Sequence, residues 1–177
     1  KKLTIAKGGA KAGDIVLALK KNDGMGPEGY RLAIGKTVEI TAVTAQGAFW
    51  GTRTLLQLSE QQKERTLPCG TALDEPQYEL RGFMIDCGRK YIPITYLRNL
   101  VKIMSYYKMN TLQVHLNDNA FKQYFNNDWF KTQAAFRLES SYFPGLTAKD
   151  GHYTKQEFID FQKLAESNHV EVIPEID

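Results

Sequence analysis

The chain has 177 residues, 42% of them hydrophobic, 11% aromatic and 24% charged, a balance that supports a buried core and excludes a disordered or low-complexity polypeptide. Its net charge of +3 comes from 23 Lys and Arg against 20 Asp and Glu; the basic residues are scattered among acids, so no nucleic-acid partner is expected. No apolar run reaches the roughly 18 residues of a membrane span, and Cys69 and Cys87 are too few for a disulfide framework and lack metal-ligand spacing.

In chain order, Leu3–Ala6, Asp14–Leu19, Tyr30–Ile34 and Thr37–Ala42 are short runs rich in β-branched or aromatic residues, separated by glycine-containing turns, and read as strands. The last two flank the tight Gly35-Lys36 connection, which predicts a hairpin. Ala45 to Ser59 switches to helical spacing, with Ala48, Leu55 and Leu56 near one face and only Gly47 and Gly51 to oppose it. The polar stretch from Ser59 to about Gln77, with Pro68, Gly70 and Pro76, reads as a linker. After it the order becomes strand (Gly82–Cys87), helix (Thr95 as cap, Leu97, Leu100, Val101 and Met104 on one stripe) and strand (Thr111–Leu116). A long loop, a helix opened by the capping-box spacing Thr154-Lys-Gln-Glu157, and a last strand (Val170–Ile176) complete the chain. The fold class is therefore α/β: a small α+β domain over residues 1–72, then strand-helix repeats over 73–177 that imply a parallel sheet with right-handed crossovers. Three strands and two helices cannot make a complete eight-stranded barrel. The chain lacks an initiator Met and ends on HVEVIPEID, with no polar tail, which reads as a cut through something larger.

In such sheets chemistry gathers at the carboxyl ends of the strands. Those ends are Asp86-Cys-Gly-Arg89-Lys90-Tyr91, His115-Leu-Asn117-Asp118-Asn119 and Glu175-Ile-Asp177. Carboxylates accept from hydroxyls and a guanidinium donates through a planar fork, so this set suits a polyhydroxylated ligand such as a sugar. Two alternatives stand beside that reading: Arg89 and Asp118 as a structural ion pair, and His115 as a hydrogen-bonded core residue. Asp86, in an apolar strand, needs a partner such as Arg81 or Arg89 and is assigned a structural role. The loop Phe121–Tyr153 carries Phe121, Tyr124, Phe125, Trp129, Phe130, Phe136, Tyr142 and Phe143, rings able to stack on sugar faces, although most are expected to pack the loop down. No glycine-rich phosphate fingerprint follows any strand, which argues against a nucleotide site or a phosphate-binding barrel isomerase. No cofactor or metal is called for.

The segments RGFMIDCGRKYIP, YYKMNTLQVHLNDN and VIPEID, in this order and spacing, resemble the opening of the catalytic barrel of family-20 glycoside hydrolases, the β-N-acetylhexosaminidases, and GPEGYRLAIGKTVEITAVTAQGAFWGTRTLLQL resembles the small α/β domain that precedes that barrel. The resemblance implies an accessory domain followed by the first three strands and two helices of a (β/α)8 TIM-type barrel. It implies exo-acting, retaining removal of terminal β-linked N-acetylhexosamine or lacto-N-biose from a glycan, in which the substrate's own 2-acetamido oxygen attacks the anomeric carbon. By the same resemblance Arg89 grips sugar hydroxyls, Asp118 matches a carboxylate that orients a histidine, and Asp177 lies beside the pocket; these three form the expected substrate-binding set, with His115 and Glu175 supporting. The catalytic Asp-Glu pair is expected after Asp177, so the remainder of the barrel is needed for a complete site and these residues alone are expected to be inactive. Asp118-Asn119 departs from the two consecutive acids usual in the family, and HLNDN, AAFRLES and DGHYTKQEF are more similar to the branch of bacterial lacto-N-biosidases and streptococcal-type surface hexosaminidases. That implies a secreted or cell-surface bacterial enzyme. A non-catalytic carbohydrate-binding role is the alternative.

Overall fold

A computed structural model describes residues 4–21, 24–62, 66–118, 122–128, 136–143 and 145–177. They divide into two compact units, Lys1–Glu79 and Leu80–Asp177.

In the first unit, β1 (Ile15–Leu19), β2 (Tyr30–Ile34), β3 (Val38–Ala42) and β4 (Gly70–Asp74) form a sheet in the order β1-β3-β2-β4. The expected hairpin is present: β2 and β3 pair antiparallel, Ile34 opposite Val38, while β1 joins β3 in parallel. Helix α1 (Ala45–Gln61) begins at Thr44, whose hydroxyl accepts from the Gly47 N–H, and lays Trp50 and Leu55 on Tyr30, Leu32 and Ile40. Gly51, a helix breaker by propensity, is a contact point: a Cβ there would lie 2.5 Å from the Ile40 side chain and 3.0 Å from the Tyr30 ring, so its small size lets helix and sheet approach. Two expectations are corrected. Residues 4–6 form no strand, and residue 3 lies outside the described residues. The linker contains β4, which pairs with β2 through Tyr30–Asp74 to Ile34–Gly70. Every β4 side chain is exposed, so no apolar pattern announces the strand; backbone pairing with β2 and the Tyr30 hydroxyl, which donates to Asp74 Oδ2 at 2.6 Å, hold it.

The second unit alternates β5 (Gly82–Asp86), α2 (Ile94–Tyr106), β6 (Thr111–His115), α3 (Lys155–Ser167) and β7 (Glu171–Glu175). The strands pair in parallel in the order β5-β6-β7, as expected for the first strands and helices of an incomplete α/β barrel. Leu97, Val101 and Met104 of α2 and Phe158, Phe161 and Ala165 of α3 pack with Leu112 and Val114 of β6; full burial of a side chain of this size contributes roughly 1.5–3 kcal/mol. The capping box at Thr154 is present with both reciprocal bonds. Thr95 does not cap α2: Pro93 is the N-cap, without a side-chain cap bond. Its ring-locked φ of −57° starts the turn, which leaves Thr95 inside the helix. Both cysteines are free, Cys69 exposed and Cys87 buried. Among the described residues no helix is long and apolar enough to cross a membrane.

Candidate functional site

The parallel register sets Asp86 of β5 opposite His115 of β6, and His115 opposite Glu175 of β7, so one cross-sheet row ends in carboxylate, imidazole and carboxylate. His115 is 7% exposed. Its Nε2 lies 2.8 Å from Asp118 Oδ2 and its Nδ1 3.1 Å from Glu175 Oε2; the same Glu175 oxygen accepts from Gln113 Nε2 at 2.8 Å. With an acid at each nitrogen, the ring is best satisfied as a two-donor imidazolium. Burial opposes protonation, but hydrogen bonds to Asp118 and Glu175 and the charges of Glu175 and Asp86 outweigh it, and the His115 pKa is raised. His115 is thus a buried residue held by hydrogen bonds at both ring nitrogens.

Arg89 closes the chain of charges. Its Nη1 lies 2.7 Å from Asp86 Oδ2 and its Nη2 2.6 Å from Asp118 Oδ2, and its backbone N–H donates to Asp86 Oδ1 at 2.9 Å. Asp86 first, then the charges of Asp118 and Asp177, hold the guanidinium pKa above its ordinary value. Burial pushes the Asp86 carboxyl up, but the backbone and side-chain bonds from Arg89 prevail and leave it lowered. Of the two partners open to Asp86 in the sequence, Arg89 is the one it meets: Arg81 instead donates from Nε to the Lys108 carbonyl at 2.8 Å. The Arg89–Asp118 ion pair, an alternative beside the sugar reading, forms, and the Arg89 side chain remains 41% exposed, so its fork faces both the acids and the solvent.

Two small features bring these strand ends together. A Cβ on Gly88 would lie 2.7 Å from the Asn117 carbonyl carbon and 2.8 Å from the Asp118 nitrogen, so only glycine lets the turn after β5 run against the turn after β6 and carry Arg89 to Asp118. Asn117 continues the ladder with its side chain: Nδ2 donates to the Asp177 carbonyl at 2.6 Å and Oδ1 accepts from the Asp177 N–H at 2.9 Å. Asp177 is thereby brought to the cluster, and His115, Asp118 and Asp177 place donor atoms within 4.8 Å of one another. Three such donors could approach a cation, although the charge already set against Asp118 is the Arg89 guanidinium.

The aromatic loop divides. Phe121, Trp129 and Phe130, and the side chains of Tyr124 and Phe125, lie outside the described residues. Tyr153 is fully buried and donates to the Ile92 carbonyl at 2.6 Å, whereas Tyr142 and Phe143 are 89% and 68% exposed. Sequence reasoning misses Gln113, Asn117 and Arg137. Gln113 sits two residues before His115 and so shares its strand face, a signal the period-2 rule could have supplied; for Asn117 and Arg137 only the fold reveals the partners.

The family model described as "Glycosyl hydrolase family 20, domain 2" matches residues 1–75, and "Glycosyl hydrolase family 20, catalytic domain" matches residues 78–177. A beta-hexosaminidase of Akkermansia muciniphila is 36% identical over 154 residues, covering 85% of this chain and 29% of the relative. One of Porphyromonas gingivalis is 30% identical over 185 residues, covering 93% of this chain and 21% of the relative. The solved GH20 beta-N-acetylhexosaminidase from Streptomyces coelicolor A3(2) superposes with a TM-score of 0.77 at 31% identity, covering 95% of this chain and 35% of that one. A mutant Streptomyces plicatus beta-hexosaminidase in complex with the product GlcNAc gives a TM-score of 0.77 at 31% identity, with 92% and 34% coverage. The chain thus spans about a third or less of the length of these proteins. Since the two models together take in nearly every residue and the strand ends carry the charged cluster just described, the chain belongs to glycosyl hydrolase family 20.

Proposed function

We propose that this chain supplies the sugar-gripping strand ends of an exo-acting β-N-acetylhexosaminidase that releases terminal N-acetylhexosamine from glycans. The observation that carries the reading is the solvent-open Arg89 fork, held at once by Asp86 and Asp118 at the ends of neighbouring parallel strands. A guanidinium fixed on two sides is preorganised to donate to sugar hydroxyls without first having to be ordered. Asp118 and Asp177 accept from hydroxyls beside it, and His115 with Glu175 keeps Asp118 in place. The names of the relatives, beta-hexosaminidases, and the GlcNAc complex of the Streptomyces plicatus enzyme support this substrate class.

In a retaining, substrate-assisted hydrolysis the nucleophile is the substrate's acetamido oxygen, and the protein protonates the leaving oxygen and polarises the amide. We assign those two carboxyl groups to barrel segments other than these three strands. The work of this chain is then to hold the ring so that the acetamido group reaches the anomeric carbon, a positioning effect expressed in kcat as well as in KM. The full-length protein is expected to hydrolyse a chromogenic N-acetyl-β-glucosaminide, and the 177 residues alone are expected not to exceed a buffer blank. A folded full-length protein inert toward β-linked N-acetylglucosaminide, N-acetylgalactosaminide and lacto-N-bioside would overturn the proposal, and saturable N-acetylglucosamine binding without turnover would favour a carbohydrate-binding role.

A further inference from the structure

Arg137, in the loop between β6 and α3, is 1% exposed and among the largest fully buried side chains. A charge so placed needs every donor satisfied. Its Nε donates to the Cys87 carbonyl at 2.8 Å and its Nη2 to the Gly88 carbonyl at 3.0 Å. Its Nη1 donates to Asp150 Oδ1 at 2.6 Å and to the Gly151 carbonyl at 2.8 Å. Its backbone is fixed too: the N–H donates to the Leu116 carbonyl at 2.8 Å, and the carbonyl accepts from the Tyr153 N–H at 2.6 Å.

Cys87 and Gly88 directly precede Arg89. The Gly88 peptide has Arg137 on its carbonyl and the Asn117–Asp118 backbone against its α-carbon, where a Cβ would fall within 2.7–2.8 Å of backbone atoms. It is clamped from two directions, and the position of the next α-carbon follows. The partners are three carbonyls and one carboxylate in different directions, a demand that the planar five-donor guanidinium meets and a lysine ammonium does not. The Asp150 carboxylate is 68% exposed, so the carbonyl dipoles rather than that ion pair hold most of the buried charge.

We propose that Arg137 is a positioning residue for the sugar site: by gripping the Cys87 and Gly88 carbonyls it sets the turn that aims the Arg89 guanidinium at Asp118 and at substrate. The inference rests on the proposed role of Arg89. The competing account is that Arg137 only anchors the segment at Asp150 and Gly151 ahead of α3, in which case its loss lowers stability without passing through Arg89.

A double-mutant cycle in the full-length protein separates the two. With 4-nitrophenyl N-acetyl-β-glucosaminide, R137K is expected to lower kcat/KM at least about tenfold in the wild-type background but less than about twofold on top of R89A, because a clamp has nothing left to aim. D150N, which keeps all three carbonyl bonds, is expected to lower the melting temperature while kcat/KM stays within about twofold. Should R137K not fold, R137Q, which retains amide donors for one of the carbonyls, carries the same cycle. Equal fold-losses in both backgrounds, or R137K activity near wild type, would overturn the proposal.

A second readout needs no turnover. Losing the aimed Arg89 charge leaves Asp118 free to stabilise the His115 imidazolium, so an NMR titration of His115 is expected to move upward in R137K, in the same direction as in R89A. A wild type without turnover would overturn the functional reading, and this titration would then decide the clamp by itself: an unmoved His115 in R137K refutes it.

Discussion

Arg89 Nη2 meets Asp118 Oδ2 at 2.6 Å across the ends of two neighbouring strands, and the same oxygen lies 2.8 Å from His115 Nε2. One carboxylate oxygen thus joins an exposed guanidinium to a buried imidazole, and a change at either is felt by the other. Arg89→Ala is expected to lower kcat/KM for a chromogenic N-acetylglucosaminide by more than about tenfold in the full-length protein, because the lost donors act on substrate. Steady-state kinetics decide: a smaller loss excludes direct contact between this guanidinium and the sugar.

The imidazole between Asp118 and Glu175 makes stability depend on pH. Because the folded His115 pKa is raised, the two carboxylate bonds contribute fully below the unfolded value of about 6.5, and that contribution is lost as pH rises through the higher folded value. Glu175→Gln removes one acceptor charge and should bring the His115 pKa down, narrowing this window from its alkaline side. An NMR titration with thermal melts on either side of neutrality measures both effects; a His115 pKa unmoved by Glu175→Gln would contradict the two-acid arrangement.

Asn117 imitates a strand residue with its side chain, giving and receiving one hydrogen bond each to the Asp177 backbone. Asn117→Ala is expected to cost about 1–3 kcal/mol, from two bonds at roughly 0.5–1.5 kcal/mol each. It should also speed hydrogen exchange at the Asp177 amide while leaving the α2 core protected. Exchange at Asp177 as slow as in the wild type would mean that Asp177 is held by other contacts.

Among the described residues, the outer strands β5 and β7 have no partner on their outer edges within this sheet, and Met84, Ile173 and Ile176 are 53%, 42% and 62% exposed. Unpaired edges flanked by apolar side chains template further strand pairing. The isolated 177 residues are therefore expected to associate with rising concentration, and gel filtration giving a concentration-independent monomer would refute this.

Where an element buries one face, its residues carry the pattern themselves. The α2 stripe, the α3 capping box and the β6 run are legible because 3.6-residue and two-residue periodicities are local, and the family resemblance of the strand-end segments rests on the same contiguous residues. What escapes is whatever is held from a distance. β4 has no buried side chain and exists through pairing with β2; the Pro93 cap displaces the better capping residue Thr95 because ring geometry precedes side-chain chemistry. At the site, residue types and strand-end positions determined that Arg89, Asp118, His115, Glu175 and Asp177 would bring ionisable groups to one edge. Only the tertiary structure decided how they meet: parallel register placed Asp86, His115 and Glu175 in one row, Gly88 allowed two turns to touch, and Arg137, unremarkable in FRLES, became a buried four-donor anchor. Hydrogen bonds between residues far apart in the chain depend on coordinates that periodicity does not encode, whereas the apolar spacing that drives each element into the core is written along the chain itself.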